Sequence, residues 1–139
     1  MTSIEANYIE KLRNSGLRPT KQRIKICEIL FDRGKTFHFS ISDLMKILQN
    51  QNNLKISLAT VYNTVHAFHK KGYLKQINIG NDISYFDTNT TKHHHFYDEY
   101  TKELIDINSQ EVELKKSPIA PNGKKIEGVE VIFKISKNN

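Results

Sequence analysis

With 139 residues, 37% of them apolar, the chain can bury a real core as one compact unit or two small lobes. Its 21 Lys and Arg against 15 Asp and Glu leave a net charge of +6, a balance suited to a polyanionic partner. No apolar run reaches bilayer length and the N-terminus shows no signal-peptide core, so a cytoplasmic protein with no membrane partner is expected. Cys27 is the one cysteine, which excludes an internal disulfide and any C-x-x-C metal knuckle. Set between Ile24 and Phe31 at helical spacing, it reads as a buried structural thiol.

The first half is helical. Ile4 to Ser15 carries Ile4, Tyr8, Ile9 and Leu12 on one stripe and stops at Gly16. After the turn Leu17-Arg18-Pro19, Thr20 caps a second helix that buries Ile24, Cys27, Leu30 and Phe31 and ends near Gly34. Ser40 caps a third, with Ile41, Leu44, Ile47 and Leu48 inward and Asn50 to Asn53 as its polar exit. A fourth spans Ser57 to Lys71, with Leu58, Val61, Val65 and Phe68 on one face and Gly72 as C-cap. The period then changes to that of strands. Tyr73 to Ile79 and Ile83 to Phe86 form a ribbon turned at Gly80-Asn81-Asp82. Helices followed by a ribbon are the pattern of a winged helix-turn-helix. The polar stretch Asp87 to Lys92 is the expected hinge to a second lobe. There His94 to Tyr97, Glu103 to Ile107 and Ile126 to Ile135 read as strands. Val129, Val131, Phe133 and Ile135 alternate toward an apolar interior or interface, while Ser117 to Gly123 is irregular.

On the fourth helix the apolar stripe leaves Ala59, Thr60, Asn63, His66 and Lys70 opposite, with Tyr62 beside them. Small residues let such a helix enter a major groove, where Asn or a hydroxyl reaches base edges. Arg18, Lys21, Arg23 and Lys25 are placed to bind phosphate, which sets docking without reading sequence. Alone, the pattern equally suits an amphipathic helix with a solvated face; the ribbon behind it favours DNA. His66 and His69 are expected at the surface or facing DNA.

The run His93-His94-His95-Phe96-Tyr97 holds half of the histidines. On a strand, His93 and His95 project to one side and His94 to the other. Asp87 and Asp106 would add oxygen ligands, and nitrogen with carboxylate suits zinc, iron(II) or manganese(II). A zinc hydrolase is the alternative of another class. It would need a positioned base, for which Glu99 is the nearby residue, and no H-E-x-x-H motif occurs.

Four segments together resemble the ferric uptake regulator (Fur) superfamily of metal-responsive repressors. They are Gly16-Leu17-Arg18-Pro19-Thr20-Lys21-Gln22-Arg23, His38-Phe39-Ser40, Ala59-Thr60-Val61-Tyr62-Asn63-Thr64 and the histidine triplet. Within the superfamily the sequence looks most like the iron response regulator branch, through His93 to Tyr97 and Pro118-Ile119-Ala120-Pro121-Asn122-Gly123. The resemblance implies an α+β homodimer on double-stranded operator DNA, with a winged-helix domain over 1–87 and a dimerisation and sensor domain over 88–139. DNA contacts are expected on Arg18, Lys21, Arg23, Ala59, Thr60, Tyr62 and Asn63. The family's ligand pattern for one regulatory Fe2+, Mn2+ or Zn2+ per subunit falls on His38, Asp87, His93, His95 and Asp106. Haem is a further candidate ligand, through His93, His94 or His95. The expected function is control of iron or haem-related genes, with a peroxide- or zinc-responsive repressor as alternative. One departure is clear. Asp98 and Thr101 stand where many relatives begin two C-x-x-C pairs, so no four-cysteine structural zinc is expected. The Cys-Pro haem motif of some iron response regulators is also missing, since Glu28 follows Cys27.

Overall fold

The computed structural model describes residues 2–51, 55–80 and 82–138. The chain forms two compact units, Met1–Thr90 and Thr91–Asn139.

The first unit is a winged helix. Helix α1 (Ser3–Asn14) starts where the Thr2 hydroxyl accepts the Glu5 N–H at 3.0 Å. It buries Tyr8 and Leu12, but Ile4 is 55% exposed because the apolar stripe begins a turn before the packing does. Helix α2 (Lys21–Phe31) is capped by Thr20 as expected and ends at Asp32, two residues short of Gly34. Its buried face turns toward Ile26, Cys27 and Leu30, leaving Ile24 and Phe31 half-buried at the rim. Helix α3 (Ile41–Gln49) opens on a reciprocal capping box between Ser40 and Asp43, and buries Leu44 and Leu48. Helix α4 (Leu58–Lys71) is capped by Ser57 and closed by Gly72, whose φ of 97° a side chain would oppose. Val61, Thr64, Val65 and Phe68 face the core, whereas Leu58, expected inward, is 59% exposed in the first turn.

The wing has three strands rather than two. β1 (His38–Phe39), β2 (Lys75–Gly80) and β3 (Ile83–Asp87) pair antiparallel in the order β1-β3-β2. Asn81, at the expected turn, lies outside the described residues, as do Asn52 and Asn53 of the expected exit from the third helix. β1 sets His38 opposite Asp87 and Phe39 opposite Phe86, which fixes the histidine to the wing.

In the second unit, β4 (His94–Asp98), β5 (Glu103–Ile107) and β6 (Ile132–Ile135) pair in the order β5-β4-β6. The β4–β5 pair is antiparallel and the β4–β6 pair parallel. Asp98 turns the hairpin by accepting the Tyr100 and Thr101 N–H groups at 2.8 and 3.1 Å, which holds its carboxyl below the usual range. The third expected strand shrinks to its last four residues. Val129, Val131 and Ile135 are half-buried and Phe133 is 46% exposed, so this alternation lines no closed interior within the protomer. Phe96 stands opposite both Ile105 and Phe133, making an apolar row across one face of the sheet.

Candidate metal centre and nucleic-acid interface

The candidate ligands fall into two groups, one in each unit. In the first, β1 and β3 bring His38 Nε2 within 3.1 Å of Asp87 Oδ2. The other oxygen, Asp87 Oδ1, accepts the Asn89 N–H at 2.8 Å and is thereby committed to the chain that follows β3. Thr88 and Phe37 brace this corner: the Phe37 N–H donates to Thr88 Oγ1 at 2.9 Å and the Thr88 N–H to the Phe37 carbonyl at 3.1 Å. Asp87 is fully buried, and a buried carboxylate without such partners would be costly.

In the second unit, His93 and His95 come together with Asp106. One oxygen, Asp106 Oδ1, lies 3.2 Å from His93 Nε2 and 3.3 Å from His95 Nε2. The register of β4 on β5, which sets His95 opposite Asp106, produces this convergence. Two imidazole nitrogens around one carboxylate oxygen suit a hard or borderline divalent ion. The donors are nitrogen and oxygen throughout, so the residues fit zinc, iron(II) or manganese(II).

Hydrogen bonds assign the histidine tautomers. His93 Nδ1 lies 2.7 Å from the Thr91 carbonyl, which can only accept, so Nδ1 carries the proton and Nε2 is left with its lone pair. His94 is the reverse. Its Nδ1 accepts the Val131 N–H at 2.9 Å, so in the neutral ring the proton sits on Nε2 and the single ring lone pair, on Nδ1, is already engaged rather than open to a metal or haem iron. His94 thus ties β4 to the segment before β6, on the side away from His93 and His95, as strand alternation requires. Glu130, which the sequence reading passed over, sets Oε1 3.2 Å from His95 Nδ1. Only the parallel pairing of β4 and β6 brings it there, and no local pattern signals that.

The residues expected to meet DNA lie on α4 and in and just before the first turn of α2. Tyr62 is 52% exposed on α4, beside exposed Ala59 and Asn63. The Thr60 hydroxyl is 3.0 Å from Ser57 Oγ, within the helix cap. Arg18 and Lys21 are exposed, whereas Arg23 turns back, its Nη1 donating to the Arg18 carbonyl at 3.0 Å. Arg23 therefore shapes the loop that carries Arg18. Lys25 pairs with Glu28 at 3.4 Å. His66 and His69, expected at the surface or facing DNA, are both half-buried. His66 is half-buried between Tyr62, at 4.1 Å, and Phe86, and burial with the neighbouring His69 lowers its pKa. His69 Nδ1 reaches the Leu74 carbonyl at 3.2 Å and closes α4 onto β2.

The sequence profile of the ferric uptake regulator family matches residues 14–134. The chain belongs to that family. Its members are metal-responsive transcription regulators rather than enzymes, which removes the hydrolase alternative. The ferric uptake regulation protein of Cupriavidus metallidurans is 39% identical over 60% of this chain and 57% of its own length. That of Pseudomonas fluorescens is 33% identical over 79% of this chain and 89% of its own. The peroxide operon regulator of Bacillus subtilis is 32% identical over 71% of this chain and 66% of its own. The match thus spans roughly 57–66% of two of these three relatives. Among solved structures, the ferric uptake regulator of Pseudomonas aeruginosa with manganese superposes over 95% of this chain and 98% of its own. The TM-score is 0.67 at 24% identity, a likeness of fold. This Fur-family chain keeps the regulator fold while lacking the cysteines for a four-thiolate zinc.

Proposed function

We propose that this protein is a metal-responsive, sequence-specific DNA-binding repressor acting as a homodimer in the cytoplasm. The winged helix over 1–87 supplies the operator contacts through Tyr62, Asn63, Ala59 and Thr60, with Arg18, Lys21 and Arg23 serving the phosphates or the loop that presents them. The segment 88–139 supplies dimerisation and sensing. His38, Asp87, His93, His95 and Asp106 are the ligands of one regulatory Fe2+, Mn2+ or Zn2+ per subunit. The observation that carries the reading is Asp106 Oδ1 held 3.2–3.3 Å from two imidazole nitrogens, one of them fixed in the ligand tautomer by the Thr91 carbonyl.

An ion bound by these ligands would neutralise the carboxylates and join residues from both sides of the hinge, favouring one placement of the winged helices. Asp87 then transmits that choice to the hinge backbone through the Asn89 N–H. Target genes of iron or haem metabolism follow from the likeness to the iron response regulator branch, in the His93 to Tyr97 and Pro118 to Gly123 segments. Haem itself would have to use His93 or His95, since His94 is held by Val131. A second reading, a peroxide-responsive repressor, is favoured by the similarity to the Bacillus subtilis regulator.

Operator binding by the metal-free protein, then with zinc, manganese(II), iron(II) or haem, tests the proposal. Metal-dependent affinity for a two-fold operator is expected; equal affinity in every condition would contradict it. Loss of DNA binding when the iron-loaded protein alone is exposed to hydrogen peroxide would select the second reading.

A further inference from the structure

In the second unit the proposed ligand set takes His93, His95 and Asp106 and leaves unused a carboxylate that lies beside His95, that of Glu130. Glu130 lies just before β6, and its neighbour Val131 is gripped from both sides. The Val131 N–H donates to His94 Nδ1 at 2.9 Å, while its carbonyl accepts the His95 N–H at 3.2 Å. This double clamp leaves residue 130 beside the ring of His95. Glu130 Oε1 reaches His95 Nδ1 at 3.2 Å, at ion-pair distance but without the straight alignment of a finished hydrogen bond. On the far side of the ring, Nε2 faces Asp106 Oδ1. The imidazole of His95 is fully buried, so no bulk water competes for either nitrogen.

From this placement we propose that Glu130 is a positioning residue for His95, accepting its Nδ1 proton and thereby presenting the Nε2 lone pair to the regulatory ion. The inference rests on the metal-site reading above. An imidazole that binds a metal through Nε2 keeps its proton on Nδ1, and a carboxylate there both selects that tautomer and makes Nε2 a stronger donor. His93 obtains the same tautomer from a backbone carbonyl, which side-chain substitution cannot remove. His95 obtains it from a side chain, so its donor strength can be altered by mutation at position 130. Two neighbouring ligands are thus set by unlike partners, one neutral and one anionic.

The test uses the full chain with zinc as probe, in four forms: wild type, Glu130→Ala, Glu130→Gln and His95→Ala. Zinc affinity is measured by competition with a chromophoric chelator. The ring nitrogens are followed in long-range proton–nitrogen NMR spectra of the zinc-loaded protein. In wild type, His95 should show a protonated Nδ1 and a metal-bound Nε2. Glu130→Ala should weaken zinc about 10–100-fold, the usual cost of losing such a partner. It should also remove the hydrogen-bonded signature of the His95 Nδ1 proton. Glu130→Gln keeps an oxygen that can accept this proton, so it should recover most of the lost affinity. Zinc held by Glu130→Ala as tightly as by wild type overturns the inference. So does an equal loss in Glu130→Gln and Glu130→Ala, which would make Glu130 a direct ligand. If Glu130→Ala loses its native amide spectrum, the wild-type ring spectrum decides, and an unprotonated Nδ1 in the zinc-loaded protein overturns the proposal. His95→Ala separates the two levels: unchanged zinc affinity there sinks the metal-site reading itself, whereas a loss there with none in Glu130→Ala sinks only the role of Glu130.

Discussion

Tyr62 shows how a single exposed ring can serve two purposes. Its outer edge faces solvent on α4, and its inner face lies 4.1 Å from the half-buried ring of His66. A large side chain left half exposed while supported from beneath is well suited to meet a base or a sugar. Replacing Tyr62 with Ala should weaken specific operator binding by about 1–3 kcal/mol with little change in non-specific binding. Quantitative gel shifts against operator and scrambled DNA measure both quantities, and an unchanged specific affinity would remove Tyr62 from the interface. Cys27 makes the opposite case. Burial pushes its thiol up to about 12, so its conservative reading as a packing residue stands. Both readings were open to sequence, since each depends on which side of a helical stripe the residue occupies. The roles of Glu130 and His94 were not. They come from Val131 lying beside β4, a pairing between segments more than thirty positions apart.

Among the elements, those that begin and end on local chemistry were the ones legible in advance. Thr20, Ser40 and Ser57 cap α2, α3 and α4 through their hydroxyls, and Gly72 closes α4 in the left-handed region. The capping box of α3 offers a direct check. Ser40→Ala removes the acceptor of the Asp43 N–H and should destabilise the first unit by about 1 kcal/mol, seen as a lower denaturant midpoint at unchanged slope. No shift in midpoint would mean that the cap contributes nothing to the fold. Elements made by distant pairing were missed. β1 is two residues long and exists because Phe39 and His38 pair with Phe86 and Asp87, nearly fifty positions away. The same short strand is what brings His38 to a carboxylate. Periodicity also misplaced the ends of stripes. Ile4 and Leu58 fit the helical repeat yet sit in first turns that their neighbours do not cover.

For the whole molecule, the exposed Ile105 and Phe133, with half-buried Phe96 between them in the second unit, call for a covering surface. A second copy of the chain is the proposed cover, in keeping with the dimer expected for a two-fold operator. Phe133 is 46% exposed, so a charge there is tolerable in a lone protomer but not beneath a partner. Phe133→Glu should therefore sediment as a folded monomer and lose cooperative operator binding, whereas a dimer as stable as wild type would move the interface elsewhere. Sensing and DNA binding are coupled, on this account, through the residues that flank the hinge. Asp87 holds the Asn89 N–H on one side and His93 holds the Thr91 carbonyl on the other.

The most direct measurement is operator affinity of the double variant His93→Ala, His95→Ala, titrated with zinc, manganese(II) and then haem beside wild type. The account predicts a folded dimer that binds the operator at one basal affinity whatever is added, while wild type responds. A variant that responds to each ligand as wild type does would contradict it.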